Sequence, residues 1–187
     1  MNTKGNGFLE ALKEKTLVRR DKTTAKGVDL IKDKEFIVIY VGASFLAGSA
    51  RRNVENLKKF YEIMKDEKLE IIYLSQDNNE KEFTKHFHEN HGNWLAVPPG
   101  TEDNEELMKT LENPTIPHVI VYNKLGFMCR RTTGTADLEK KGILDKWRAK
   151  NQNVQFRRGK SGDRQVSSQE SQSKESDAVA KDKSGKK

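Results

Sequence analysis

A single cysteine, Cys129, stands in a chain of 187 residues. One thiol cannot close an intramolecular disulfide, which excludes both a secreted disulfide framework and an internal dithiol couple. Aromatic residues make up only 7% of the chain, and few lie among the basic ones. Nucleic acid, which needs a stacking platform beside positive charge, is therefore disfavoured as a partner. No run approaches the roughly 20 apolar residues of a membrane-spanning helix, and Met1–Gly7 leads into no apolar stretch of signal-peptide length. The expectation is a protein of the cytoplasm, the nucleus or both, without membrane association. The histidines are His86, His88, His91 and His118. His88 and His91 are three residues apart, but a fourth ligand and a neighbouring cysteine are missing, so no metal site and no cofactor are expected. A surface position at a helix C-terminus, where imidazolium is favourable, accounts for the first three.

Charge, by contrast, is abundant. Charged residues make up 34% of the chain and the net charge is +7, with a mean hydropathy of −0.88. These values predict a modest core, some disordered sequence and an attraction to acidic partners. The chain is organised around one stretch. Phe36 to Val41 is a run of aromatic and β-branched residues that reads as a strand buried on both faces. It breaks at Gly42, Ser44 and Gly48. A helix follows to about Asp66, with Val54, Leu57, Phe60, Tyr61 and Met64 at helical spacing.

Further along, Leu69 to Ser75 reads as the next strand. Gln76-Asp77-Asn78-Asn79 is a turn able to cap a helix over Glu80 to Glu89. A polar helix spans Glu102 to Leu111. The strand after Thr115-Ile116-Pro117 turns at Lys124-Leu125-Gly126, and a last helix covers Leu138 to Ala149. Before the central strand, Met1–Gly7 reads as disordered, Phe8 to Leu12 as a helical turn, Thr16 to Arg19 as a short strand, and Lys32-Asp33-Lys34 as a turn. The expected divisions are a leader over 1–15, a domain over 16–150, and a disordered, basic, Ser/Lys-rich tail over 151–187, which has too few aliphatic residues to offset ordering entropy.

The order of elements, together with Trp94-Leu95-Ala96-Val97-Pro98 and Thr115-Ile116-Pro117, resembles the thioredoxin fold and, within it, the tryparedoxin and nucleoredoxin family. The resemblance covers about residues 16–150. It implies an α/β three-layer sandwich: a central mixed β-sheet of four to five strands, with helices on both faces. In that family a Trp-Cys-Pro-Pro-Cys-Arg motif follows the first long strand. Aligned without gaps on Arg51 and on Phe60-Tyr61, the motif falls on Leu46-Ala47-Gly48-Ser49-Ala50-Arg51. Both cysteine positions, Ala47 and Ala50, are alanine. The resemblance also implies a cis Ile116-Pro117 bond facing the helix start, with the Ile116 backbone open to an extended substrate by strand addition.

Thioredoxin chemistry needs a thiolate at a helix N-terminus and a second thiol to resolve the mixed disulfide. Alanine supplies neither. Ser49 has no base beside it in sequence and reads as a helix-start residue satisfying a backbone N–H. Cys129 alternates with Phe127 on an expected strand and reads as a buried, inert thiol. Three functions follow. The first is a redox-inactive protein-binding or regulatory module that holds a protein or extended peptide at Gly48, Ser49, Arg51, Ile116 and Pro117. The second, implied by family membership, is a protein-disulfide reductase, some relatives of which are linked to Wnt signalling. The third is acidic-partner or nucleic-acid binding through the basic tail.

Overall fold

A computed structural model describes residues 5–138, 140 and 142–150. The chain runs through helix α1 (Gly5–Lys13), strands β1 (Thr16–Arg19) and β2 (Thr24–Lys26), helix α2 (Gly27–Asp33), strand β3 (Phe36–Gly42), a 3-10 turn (Ser44–Leu46), helix α3 (Gly48–Ile63) and strand β4 (Leu69–Ser75). There follow helix α4 (Glu80–Asn90), strand β5 (Leu95–Val97), helix α5 (Glu102–Thr110), and strands β6 (His118–Asn123) and β7 (Met128–Thr132). Residues 143–150 are again helical. The disorder expected of 151–187 lies outside the described residues.

The strands form one sheet in the order β2-β1-β5-β4-β3-β6-β7. β3 runs parallel to β4 and antiparallel to β6, so its residues are flanked on both edges. All seven are buried, as a strand that is apolar on both faces requires. Alternation divides them between two cores. Phe36, Val38 and Tyr40 point to one face, where Val54, Leu57 and Phe60 of α3, Phe83 and Phe87 of α4, and Trp147 cover them. Ile37, Ile39 and Val41 point to the other, against Phe8 and Leu12 of α1, Leu30 of α2 and Leu107 of α5. The expected three-layer sandwich with a mixed sheet is present.

The sheet has seven strands rather than four or five. The increase comes from the β1–β2 hairpin, which joins the sheet through β5: Val18 and Arg19 pair with Ala96 and Leu95. β5 is only three residues long, too short to carry an alternating signal of its own. The sequence also understates the N-terminal segment. Gly5–Gly7, expected to be disordered, already belong to α1. Phe8 is fully buried and stacks on Tyr122 with ring centroids 5.6 Å apart. The expected lysine-rich turn before β3 is the end of α2, whose Leu30 is anchored in the core.

Candidate functional site

The register of the central strands decides what meets what. Gly42 pairs with Ser75, and Val41 with His118. The loop leaving β3, the residues Gln76 and Asp77 leaving β4, and the Ile116-Pro117 segment entering β6 therefore lie at one end of the sheet. In open α/β sheets this end, outside the carboxyl ends of parallel strands, is where ligands bind.

The β3–α3 loop is held by Asp77. The Ser44 backbone N–H donates to Asp77 Oδ1 at 2.6 Å, and Ser75 Oγ donates to Oδ2 at 2.8 Å. The Tyr73 hydroxyl lies 3.3 Å from the same Oδ2 and 3.2 Å from the Gly42 carbonyl. The sequence reads Asp77 as part of a helix-capping turn. In the structure that role belongs to Asn79, whose side chain accepts from the Glu82 N–H, and Asp77 is 6% exposed beneath the loop. The sequence around them does not separate the two roles, because the loop residue that Asp77 holds, Ser44, is 33 positions away.

Ala47 occupies the N-cap of α3 with φ 49° and ψ −117°, and no side chain caps the helix. Ser49, expected to supply that cap, sits inside the first turn and makes no side-chain hydrogen bond among the described residues. It stands two positions past the N-cap, too late to reach the leading N–H groups. Ala47, Gly48, Ser49, Arg51 and Arg52 are exposed, whereas Ala50 is 1% exposed. Arg51 Nε donates to Glu55 at 2.9 Å. Beneath α3, Thr135 Oγ1 donates to Asn53 Oδ1 at 3.0 Å and accepts from Asn56 Nδ2 at 3.1 Å, tying the first turns of the helix to the loop after β7.

The Ile116-Pro117 peptide bond is cis and both residues are half-buried. The backbone N–H and C=O of Ile116 have no hydrogen-bond partner among the described residues. Next to it a groove of about 640 Å³ runs between α5 and residues 113–116, floored by Ser75, Gln76 and Asp77. Of the residues expected at a binding site, Ile116 lines this groove, while Gly48, Ser49, Arg51 and Pro117 do not. Sequence reasoning missed the groove because its walls come from four separate segments.

Three ring side chains near the site, Tyr40, Tyr73 and His118, are held neutral. Burial pushes Tyr40 up to about 12 and Tyr73 higher still. Burial and the charge of Arg131 hold His118 below the ordinary histidine value. Cys129 is 1% exposed on β7, separated from β3 by β6, and its Sγ contacts the Phe127 carbonyl at 3.6 Å.

The histidines depart from expectation. His91 is fully buried, not at the surface. Its ring packs among Tyr40, Tyr73, Phe87 and Trp94, where a neutral imidazole serves as one more aromatic. His88 turns the other way, with Nδ1 2.6 Å from the Arg20 carbonyl, so the two do not share a face. Among the described residues no group of three His, Cys, Asp or Glu side chains is placed to hold a metal.

A family profile described as thioredoxin-like matches residues 34–128, just over half of the chain. This chain belongs to the thioredoxin-like family. Thioredoxin from Wuchereria bancrofti shares 31% identity with it over 74% of this chain and 96% of that one, with a TM-score of 0.62. Two other similar structures share the thioredoxin-like fold at lower identity. Tryparedoxin I from Crithidia fasciculata is 24% identical, over 75% and 94% of the two chains, with a TM-score of 0.58. Tryparedoxin from Trypanosoma brucei is 23% identical, over 72% and 92%, with a TM-score of 0.59. No curated protein matches the chain.

Proposed function

We propose that this thioredoxin-like protein is a redox-inactive member of the tryparedoxin and nucleoredoxin branch. It acts as a protein-binding or regulatory module in the cytoplasm, the nucleus or both. The observation that carries this reading is the pair Ala47 and Ala50. One is exposed at the start of α3, and the other is buried one turn inward. A disulfide reductase needs an attacking thiolate at the first kind of position and a resolving thiol at the second. Alanine at both leaves the scaffold without the reaction, and Cys129 is buried on another strand. What persists is a place for a chain to bind. The unpaired backbone of Ile116 can add one extended strand, and Arg51 and Arg52 beside the uncapped start of α3 favour acidic side chains there.

The competing reading is the family activity: one similar structure is the thioredoxin domain of a thiol-disulfide oxidoreductase from Bacteroides vulgatus. Insulin reduction with a thiol donor separates the two. The expected result is no turnover above the donor alone. Turnover that scales with the amount of this protein overturns the proposal.

A further inference from the structure

The end of β7 and the residue after it read Arg130-Arg131-Thr132-Thr133. β7 is the last strand of the sheet. Its outer side has no neighbouring strand, so the segment can be drawn out as an extended chain without breaking a second ladder. Thr133 is exposed, and its hydroxyl makes no hydrogen bond among the described residues. The neighbouring hydroxyls are engaged. Thr132 Oγ1 donates to the Thr133 carbonyl at 3.3 Å, and Thr135 is buried and bonded to Asn53 and Asn56. The two arginines stand two and three residues before Thr133, and both are held by long contacts. Arg130 Nη2 lies 3.5 Å from Asp137, and Arg131 Nη2 donates to the Leu111 carbonyl at 3.2 Å. Carboxylates with shorter, better-aligned geometry can take over either guanidinium. Helix α3 turns a basic residue toward this loop. Asn56 donates to Thr135 at 3.1 Å, so its face of the helix is directed at the chain after β7. Arg52 precedes Asn56 by four positions and shares that face, one turn nearer the helix start. Arg52 is exposed and makes no ion pair among the described residues.

We infer that Thr133 is a phosphorylation site for an arginine-directed serine/threonine kinase, and that its phosphate is received by Arg52 of α3. The Thr133 hydroxyl oxygen bonds to the γ-phosphorus of ATP as the bond to ADP breaks. Its proton passes to the catalytic carboxylate of the kinase, and ADP leaves with the electron pair. The product carries about two negative charges at neutral pH. An ion pair with Arg52 fastens the loop after β7 to the first turns of α3, adding to the bonds that Thr135 already makes there. It also occupies a guanidinium that the proposed module offers to acidic side chains. That consequence rests on the proposed function, whereas the modification itself does not.

The test incubates the full chain with Mg-ATP and the catalytic subunit of cyclic-AMP-dependent protein kinase, and maps the phosphate by mass spectrometry. The expected product carries phosphate at Thr133. Thr133→Ala should abolish that product, Thr133→Ser should restore it, and Arg131→Gln should slow its formation by about tenfold. Phosphorus NMR of the purified product then reads the partner. The second ionisation of the phosphate should fall below its ordinary value of about 6, and Arg52→Gln should bring it back toward that value. Incorporation only at other residues, or an unchanged rate in Arg131→Gln, overturns the site. A phosphate that titrates alike with and without Arg52 overturns its docking on α3. Neither failure bears on the proposed function, which the insulin assay tests separately.

Discussion

His91 lies against Tyr73 with ring centroids 4.4 Å apart, and neither of its ring nitrogens has a hydrogen-bond partner among the described residues. Burial, followed by the charges of His86, Lys58 and Arg20, holds its pKa well below the ordinary value. The folded protein therefore resists a proton that the unfolded chain accepts near pH 6.5. Protons bind more to the unfolded state below that pH, so stability falls on acidification and levels off above it. The expected loss approaches about 1.4 kcal/mol per pH unit in the acid range. Urea unfolding at about pH 7.5 and about pH 5.5 measures it, and His91→Phe should flatten the dependence. His86, lowered mainly by burial, contributes in the same direction. An equally steep dependence in His91→Phe would assign the effect elsewhere.

Cysteines introduced at Ala47 and Ala50 should close a disulfide under mild oxidation, because residues three apart on one helix turn lie within bridging distance. Mass spectrometry after alkylation reads it directly. The variant should also show weak insulin reduction, since the exposed and buried positions are already in place. It should be weak because Leu46, Gly48 and Ser49 depart from the motif that tunes the thiolate. A folded variant with two free thiols after oxidation would show that these positions do not form a dithiol site.

Ala47 adopts a positive φ of 49°, where a Cβ is disfavoured and glycine is not. Ala47→Gly should raise stability by up to about 1 kcal/mol, the relieved backbone strain exceeding the extra freedom of the unfolded chain. A lower thermal midpoint would contradict the strained cap.

Gly27→Ala should do the opposite. A Cβ at Gly27 would land on the backbone carbonyl of Leu12, and backbone cannot swing aside as a flexible side chain can. Moving it disturbs the packing of α1 against α2, and the expected cost exceeds about 2 kcal/mol, measured by urea unfolding.

Cys129 should react slowly or not at all with a thiol reagent such as Ellman's in the native protein, and stoichiometrically in denaturant. Its 1% exposure denies the reagent access. Rapid native labelling would reopen a redox role for this thiol.

The sequence by itself determined the parts of this protein that are written in local periodicity. Six apolar residues in a row place Phe36–Val41 at the centre of the sheet, and Phe83 with Phe87 at helical spacing set the inner face of α4, because side-chain direction repeats with the backbone. The single cysteine limits thiol chemistry by count alone. Tertiary structure decided the rest. Leu95–Val97 is a strand only because β4 and β1 pair with it. His91 became core, against its hydropathy, because four aromatic rings surround it. Asp77 became the clamp of the β3–α3 loop, and Gln76, Glu105 and Ile116 came to line one groove, through residues far apart in the chain. A short window of sequence records which faces a residue can present, but a burial, a clamp or a groove depends on what the remainder of the chain brings opposite it.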